Sequence, residues 1–170
     1  MIALRADVAQ VWQWLGEVPD PEIPVVSVVD LGIVRDVAWV DVDGAGTLKV
    51  TLTPTYSGCP ATRVIERDIE RALHDHGIAR VELEVRIGPP WTTDWLSEAA
   101  REKLRAYGIA PPERGAGRAL DITTFVEPRV ACPRCEAVDA QLTSRFGSTP
   151  CKALYRCNAC GEPFDHFKCH

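Results

Sequence analysis

The chemistry open to this 170-residue chain lies mostly in its sulfur. Seven cysteines are present. Cys132-Pro133-Arg134-Cys135 and Cys157-Asn158-Ala159-Cys160 form two Cys-x-x-Cys pairs with 21 residues between them. Such a pair closes a tight turn that aims two sulfurs at one point. Two pairs at this spacing are the pattern of a tetrahedral four-thiolate site, which suits zinc. Iron takes the same sulfur set. Metal-free redox dithiols are the other chemistry of Cys-x-x-Cys, but that use needs the motif to open a helix, and neither pair does.

Cys59 stands apart, in Ser57-Gly58-Cys59-Pro60. Leu48, Val50 and Leu52 alternate with polar residues as in a half-buried strand, and Pro54, Ser57 and Gly58 stop it. Pro60 fits a first helical position. Val64, Ile65, Ile69, Ala72 and Leu73 then recur at helical spacing up to Gly77. This places Cys59 at the N-cap, where free N–H groups and the helix dipole favour the thiolate that ligates metal or attacks an electrophile. A small cysteine filling a gap behind the turn is the alternative.

Two cysteines remain, Cys151 and Cys169. If the second knuckle turns an antiparallel hairpin, facing residue numbers sum to about 320. Residue 157 then faces 163, and Cys151 faces Cys169. That pair is either a second metal or cluster half-site, alone or with Cys59, or two buried thiols. Asp20 and Glu22, in Pro19-Asp20-Pro21-Glu22-Ile23-Pro24, are candidate acids or ligands, or else caps of a turn.

The positioning elements follow from pattern. Asp7 caps a helix with Val8, Val11, Trp12 and Leu15 on one face, ended by Gly16. Three prolines hold residues 18–24 extended. Residues 33–42 form a strand, and Asp43-Gly44-Ala45-Gly46 turns it back. After the helix that follows Cys59, residues 79–87 give a third strand. The fold class is α+β, a small helix-covered sheet. A further helix runs from Trp91 to Gly108. The domains are therefore residues 1–108, a linker at 109–127 with a short strand at 122–126, and a zinc ribbon at 128–170. The ribbon strands are expected at 142–146, 151–157 and 164–169. About 40 residues have too little core to fold without such a staple.

Composition excludes several classes. The hydrophobic share of 46% and charged share of 25% are those of a soluble globular protein. The net charge of −5 argues against a nucleic-acid partner. The ribbon has six Lys/Arg against four Asp/Glu, with no basic cluster interleaved with exposed aromatics. No apolar run is long enough to span a membrane, and no basic-then-apolar segment opens the chain. The expected setting is cytoplasmic, where seven cysteines mean metal or thiol chemistry. Arg63, Arg67 and Arg71 form a helical stripe, but interleaved acids make it a solvated face.

Asp20-Pro21-Glu22-Ile23-Pro24, Asp30-Leu31-Gly32, Thr51-Leu52-Thr53 and Gly58-Cys59-Pro60 resemble the SufT-like domain of iron–sulfur cluster assembly factors over about residues 7–90. The rest resembles the PaaD (PaaJ subunit) members of that group, from bacterial phenylacetate degradation. The matching segments are Pro90-Trp91-Thr92-Thr93-Asp94-Trp95, Tyr107-Gly108-Ile109-Ala110-Pro111-Pro112, Phe146-Gly147-Ser148-Thr149, Cys151-Lys152-Ala153-Leu154-Tyr155-Arg156-Cys157, Glu162-Pro163-Phe164-Asp165 and Phe167-Lys168-Cys169. The resemblance implies a non-catalytic accessory factor of the phenylacetyl-CoA epoxidase. Its task would be to mature an iron–sulfur or di-iron centre, with Cys59 as the transient ligand and structural zinc in the ribbon. It implies oxygenase or reductase components as partners, and a homodimer is among the expected assemblies. Two rivals remain. One is a thiol enzyme with Cys59 as nucleophile, whose base is not evident beside it because His74 and His76 lie at the far end of the helix. The other is a fixed structural subunit of the oxygenase.

Overall fold

The computed structural model describes residues 5–115 and 129–168. The chain divides into two compact units after Trp91.

The first unit runs α1 (Val8–Gly16), β1 (Val34–Val42), β2 (Ala45–Leu52), α2 (Thr62–Asp75) and β3 (Val81–Val85). This is the expected helix, strand, strand, helix, strand order. β2 is central: it pairs antiparallel with β1 across the Asp43-Gly44 turn and parallel with β3, with α2 as the crossover. The alternation seen in the sequence has a physical cause. Leu48, Val50 and Leu52 are buried and register with the half-buried Val81 and Leu83 and with the exposed Val85 at the end of β3. Lys49 on the other face lies 3.5 Å from Glu82 and 3.3 Å from Glu84. Val11 and Leu15 of α1, and Ile65, Ile69 and Leu73 of α2, supply the covering layer.

Residues 18–24 are not the extended segment that three prolines suggest. They fold into side-chain-capped turns. The Asp20 carboxylate accepts the Glu22 and Ile23 N–H groups at 2.9 and 2.8 Å. Ser27 and Asp30 each accept the other's N–H at 3.0 Å. Ile23, Val26, Val28 and Leu31 go into the core. Trp91 is buried and donates its indole N–H to the Leu31 carbonyl at 2.8 Å, which closes the unit.

The second unit corrects the expected boundary. The helix assigned to the first domain clusters with the ribbon, and it is not continuous from Trp91. A single 3₁₀ turn (Thr93–Trp95) precedes α3 (Glu98–Tyr107), which Ser97 caps by accepting the Ala100 N–H at 3.0 Å. The buried Arg101 donates to the Pro112 carbonyl, and to that of Thr93 at 2.7 Å. Ile109 and Ala110, expected as linker, form β4 and pair parallel with β7. The sheet order is β4-β7-β6-β5, with β5 at Ala140–Ser144, β6 at Lys152–Cys157 and β7 at Pro163–Phe167. A short strand expected at 122–126 lies outside the described residues. The ribbon's core is small: Ala110, Val130, Cys132, Ala153, Tyr155, Cys157 and Phe164.

His166 of β7 is buried, edge-on to Tyr155, with Nδ1 3.1 Å from the Ala110 carbonyl. Burial pushes its pKa below the ordinary histidine value, and the Ala110 carbonyl only partly offsets this. The native state thus refuses a proton that the unfolded chain accepts below about pH 6.5. Stability from the neutral ring is complete above that pH and is lost as pH falls towards the lower native pKa. His166→Phe should therefore lose less stability than the parent between pH 7.5 and 5.5. The gap should approach about 1.4 kcal/mol per pH unit in denaturant titrations. Metal release acts on both proteins and drops out of the difference.

Candidate metal centre and the Cys59 turn

The two Cys-x-x-Cys knuckles share one local design. In the first, the Cys132 N–H donates to the Ala137 carbonyl, and the Glu136 N–H donates back to the Cys132 carbonyl, both at 2.9 Å. In the second, the Cys157 N–H donates to the Glu162 carbonyl and the Gly161 N–H to the Cys157 carbonyl, again at 2.9 Å. Each turn closes through a residue in the left-handed region, Glu136 at φ 63° and Gly161 at φ 78°. Asp139 braces both sides: its carbonyl accepts the Asn158 N–H at 2.9 Å, and its carboxylate accepts the Asn158 amide at 2.8 Å. Nothing in the sequence signals this brace, because Asn158 reads there only as a filler between cysteines. Arg134 meets Glu162 at 3.0 Å from one knuckle to the other.

The sulfurs converge. Cys132, Cys135, Cys157 and Cys160 place their Sγ atoms within 4.8 Å of one another, the group of metal-ligating type among the described residues. Cys132 and Cys160 are 3.8 Å apart, and Cys135 and Cys157 are 3.6 Å apart. A tetrahedral ion with metal–sulfur bonds of about 2.3 Å needs sulfur–sulfur edges of about 3.8 Å. The donor set fits such an ion. Cys132 and Cys157 are buried, while Cys135 and Cys160 reach solvent.

The metal-free thiols share their protons unequally. The Cys160 N–H holds the Cys157 thiol down to about 7 against the effect of burial. For Cys135 the Ala137 backbone group pulls down, but the Cys160, Cys157 and Cys132 sulfurs and burial outweigh it and push the thiol up to about 12. An arriving cation must displace the remaining protons, so affinity falls as pH falls.

In the other unit, Cys59 is half-buried, not sealed in the core. It is also not the N-cap. Ala61 occupies that position and makes no side-chain cap bond, and α2 begins at Thr62. The Thr62 N–H donates to the Cys59 carbonyl at 3.2 Å, and the Cys59 N–H to the Tyr56 carbonyl at 3.3 Å. Pro60 and Ala61 thus make a tight turn that delays the helix. The backbone of Cys59, not its sulfur, ties the loop to α2.

The remaining candidates are placed as follows. Asp20 is buried and engaged in the turn described above. Glu22 is half-buried, with its backbone N–H on Asp20. Cys151 is buried, with its sulfur 3.0 Å from the Thr149 hydroxyl. The β6–β7 ladder pairs Arg156 with Pro163 and Lys152 with Phe167, so facing numbers differ by one from the expected register. The residue hydrogen-bonded to the Cys151 carbonyl is Lys168, at 2.9 Å. Cys169 lies outside the described residues.

The knuckle geometry makes a paired prediction. A Cβ on Gly161 meets nothing within 4 Å, so Gly161→Ala is opposed only by its positive φ. It should cost about 1–2 kcal/mol in metal-bound unfolding without loss of metal. Glu136→Gly should be neutral or stabilising, by up to about 1 kcal/mol, because it relieves the same strain.

Comparison with known proteins assigns the two parts separately. Residues 8–85 match the family described as "Iron-sulfur cluster assembly protein", and residues 118–168 match the "PaaD zinc beta ribbon domain". The chain is 48% identical over 162 residues to an Escherichia coli K12 protein, covering 95% of this chain and 93% of that one. The name of that relative, "Putative 1,2-phenylacetyl-CoA epoxidase", is completed by a subunit designation. The chain is 38% identical over 91 residues to the Bacillus subtilis "Fe-S protein maturation auxiliary factor YitW", covering 53% of this chain and 85% of the relative. It is 34% identical over 86 residues to the Staphylococcus aureus factor SufT, covering 50% and 93%. Among solved structures, a DUF59 domain of Bacillus anthracis superposes with a TM-score of 0.51 at 30% identity, over 56% of this chain and 89% of that one. A likeness that runs nearly end to end, with both parts matched in order, means that the chain belongs to the PaaD family: an iron–sulfur cluster assembly domain followed by a zinc β-ribbon.

Proposed function

We infer that this chain is a non-catalytic accessory factor of a phenylacetyl-CoA epoxidase, and that it helps to assemble or insert an iron–sulfur or di-iron centre in that enzyme. The observation that carries the reading is the pairing of two likenesses in one chain. Its first 85 or so residues align with stand-alone maturation factors, and the whole chain aligns with an epoxidase subunit. The partners are the oxygenase or reductase components.

Cys59 is the residue that handles the cargo. A transfer ligand must be reachable and must not be consumed by the fold. The partial exposure of Cys59 and its solely backbone role in the turn support that assignment. Its thiolate would take a coordination place on the incoming metal centre and yield it to the client's own ligand. Asp20, whose carboxylate accepts two N–H groups of its turn, is a candidate second participant. The four ribbon cysteines hold zinc, the ion that suits a closed tetrahedral thiolate set, and serve folding. Structural zinc binds thiolate sites with about 10–16 kcal/mol of apparent free energy. A unit built on so small a core depends on it. Among the described residues no helix is long and apolar enough to cross a membrane.

Two outcomes test this. Cys59→Ser should fold normally and keep its zinc, yet fail to restore epoxidase activity and metal loading to cells that lack the protein. Full restoration by the variant sinks the assignment. Stripping the ion with a strong chelator should melt residues 92–170 and leave residues 5–91 folded, seen as selective collapse of the ribbon's amide signals in NMR spectra. A second reading, a fixed structural subunit, is favoured by the name of the E. coli relative. Co-purification at constant stoichiometry with the active enzyme distinguishes it.

A further inference from the structure

The loop between β5 and β6 carries Phe146-Gly147-Ser148-Thr149, a segment with no part in either site. Phe146 is 68% exposed, the most exposed large apolar side chain among the described residues. Its exposure is built. The Ser144 hydroxyl donates to the Phe146 carbonyl at 2.8 Å and accepts its N–H at 3.2 Å. The Gly147 N–H donates to the Lys152 carbonyl at 2.8 Å, and the Lys152 N–H to that of Thr149 at 3.1 Å. Behind the loop lies an ion pair between the buried Lys152 and the half-buried Asp165, at 3.7 Å. A Cβ at residue 147 would sit 2.7 Å from the Asp165 carboxylate and 3.2 Å from the Lys152 Cβ, so any larger residue there must push Asp165 aside.

A cation lies over the ring. The Lys168 ammonium lies 4.4 Å from the Phe146 ring centre and donates to the Arg145 carbonyl at 2.9 Å. The exposed Arg145 side chain adds a second charge. With Lys152 neutralised by Asp165, the tip is locally positive on a chain of net charge −5. The tip is also remote from the metal: β6 separates Cys157 from Lys152 by five residues, or about 17 Å of strand.

We propose that the Phe146 tip, with Arg145 and Lys168 beside it, is a docking knob for a protein partner that offers an apolar pocket rimmed by carboxylates. One rigid aromatic anchor with a complementary charged rim is the usual composition of an interface hot spot. A single ring and two cations give only weak adsorption to an anionic bilayer, which asks for a longer apolar face or more charge. The identity of the partner rests on the reading above, so the probes are the purified oxygenase and reductase components of the epoxidase.

Binding of the full-length zinc-loaded chain to each component is measured by calorimetry at two salt concentrations, beside vesicles of phosphatidylcholine and phosphatidylserine at three to one. Phe146→Ala should weaken binding to one component by about 30-fold or more. Arg145→Glu should weaken it further at low salt than at high salt. Both variants should keep zinc content and melting temperature, since neither side chain packs into the core. Unchanged binding by Phe146→Ala, no binding of either component by the parent, or Phe146-dependent vesicle binding overturns the proposal. The two readings fail separately. Docking that does not depend on Phe146, with Cys59→Ser still inactive in cells, removes only the knob. Phe146-dependent docking with a fully active Cys59→Ser removes only the maturation role.

Discussion

Four sulfurs gathered within 4.8 Å of one another set the terms for the C-terminal half of this molecule. As thiolates they repel at short range, and as thiols they leave buried, weakly bonded hydrogens where a core should be. Only a cation turns the cluster into a cohesive centre. The dependence is deep because Cys132 and Cys157 belong both to the cluster and to the seven-residue core. Metal site and core are one object there. The strands radiate from the knuckles: β5 pairs with β6 at Ala140 and Cys157, and β7 follows directly on the second knuckle.

The N-terminal unit obeys a different rule. Its central strand is buried against two helices, and its turns are closed by carboxylates and hydroxyls, as at Asp20 and at the Ser27–Asp30 pair. Nothing in that scheme requires a sulfur. Cys59 contributes a carbonyl and an N–H to its turn, which any residue could supply. A half-buried side chain beside the start of a helix, whose turn is tied by backbone groups, suits the transfer role proposed for Cys59. The contrast between sulfurs that make a fold and a sulfur the fold can spare is the physical basis for giving them different roles.

Much of this was legible in the residues. The 2-residue and 3.6-residue periods of β2 and α2 survive because each element buries one face against the other. The ribbon was legible because thiolate spacing is a geometric requirement of the ion. The failures share a cause in non-local or sub-turn geometry. The start of α2 shifted because Pro60 and Ala61 form a turn whose bond runs to a backbone carbonyl, which no side-chain type announces. The domain boundary shifted because Ile109 and Ala110 pair with Asp165 and His166, more than fifty positions away, and a two-residue strand has no period to read. The cross-strand register slipped by one because the number of residues absorbed in the second knuckle is fixed by Gly161 taking a left-handed conformation, not by the cysteines.

A ribbon stiffened at one end is also stiff at the other. β6 runs from Cys157 in the knuckle to Lys152, whose carbonyl holds the Gly147 N–H and whose ammonium meets Asp165 of β7. Ladder bonds between β6 and β7 carry the constraint along that length. A phenylalanine kept mostly in water gains little for the fold beyond its contact with Lys168, and a built frame beneath it suits the presentation proposed above. Presentation in turn needs a frame that does not breathe. So small an apolar core could not by itself give that rigidity, whereas one closed by four thiolates around an ion can. On the proposals made above, an ion in the ribbon would support recognition through the strands that lead to the Phe146 tip, a role separate from the one proposed for Cys59.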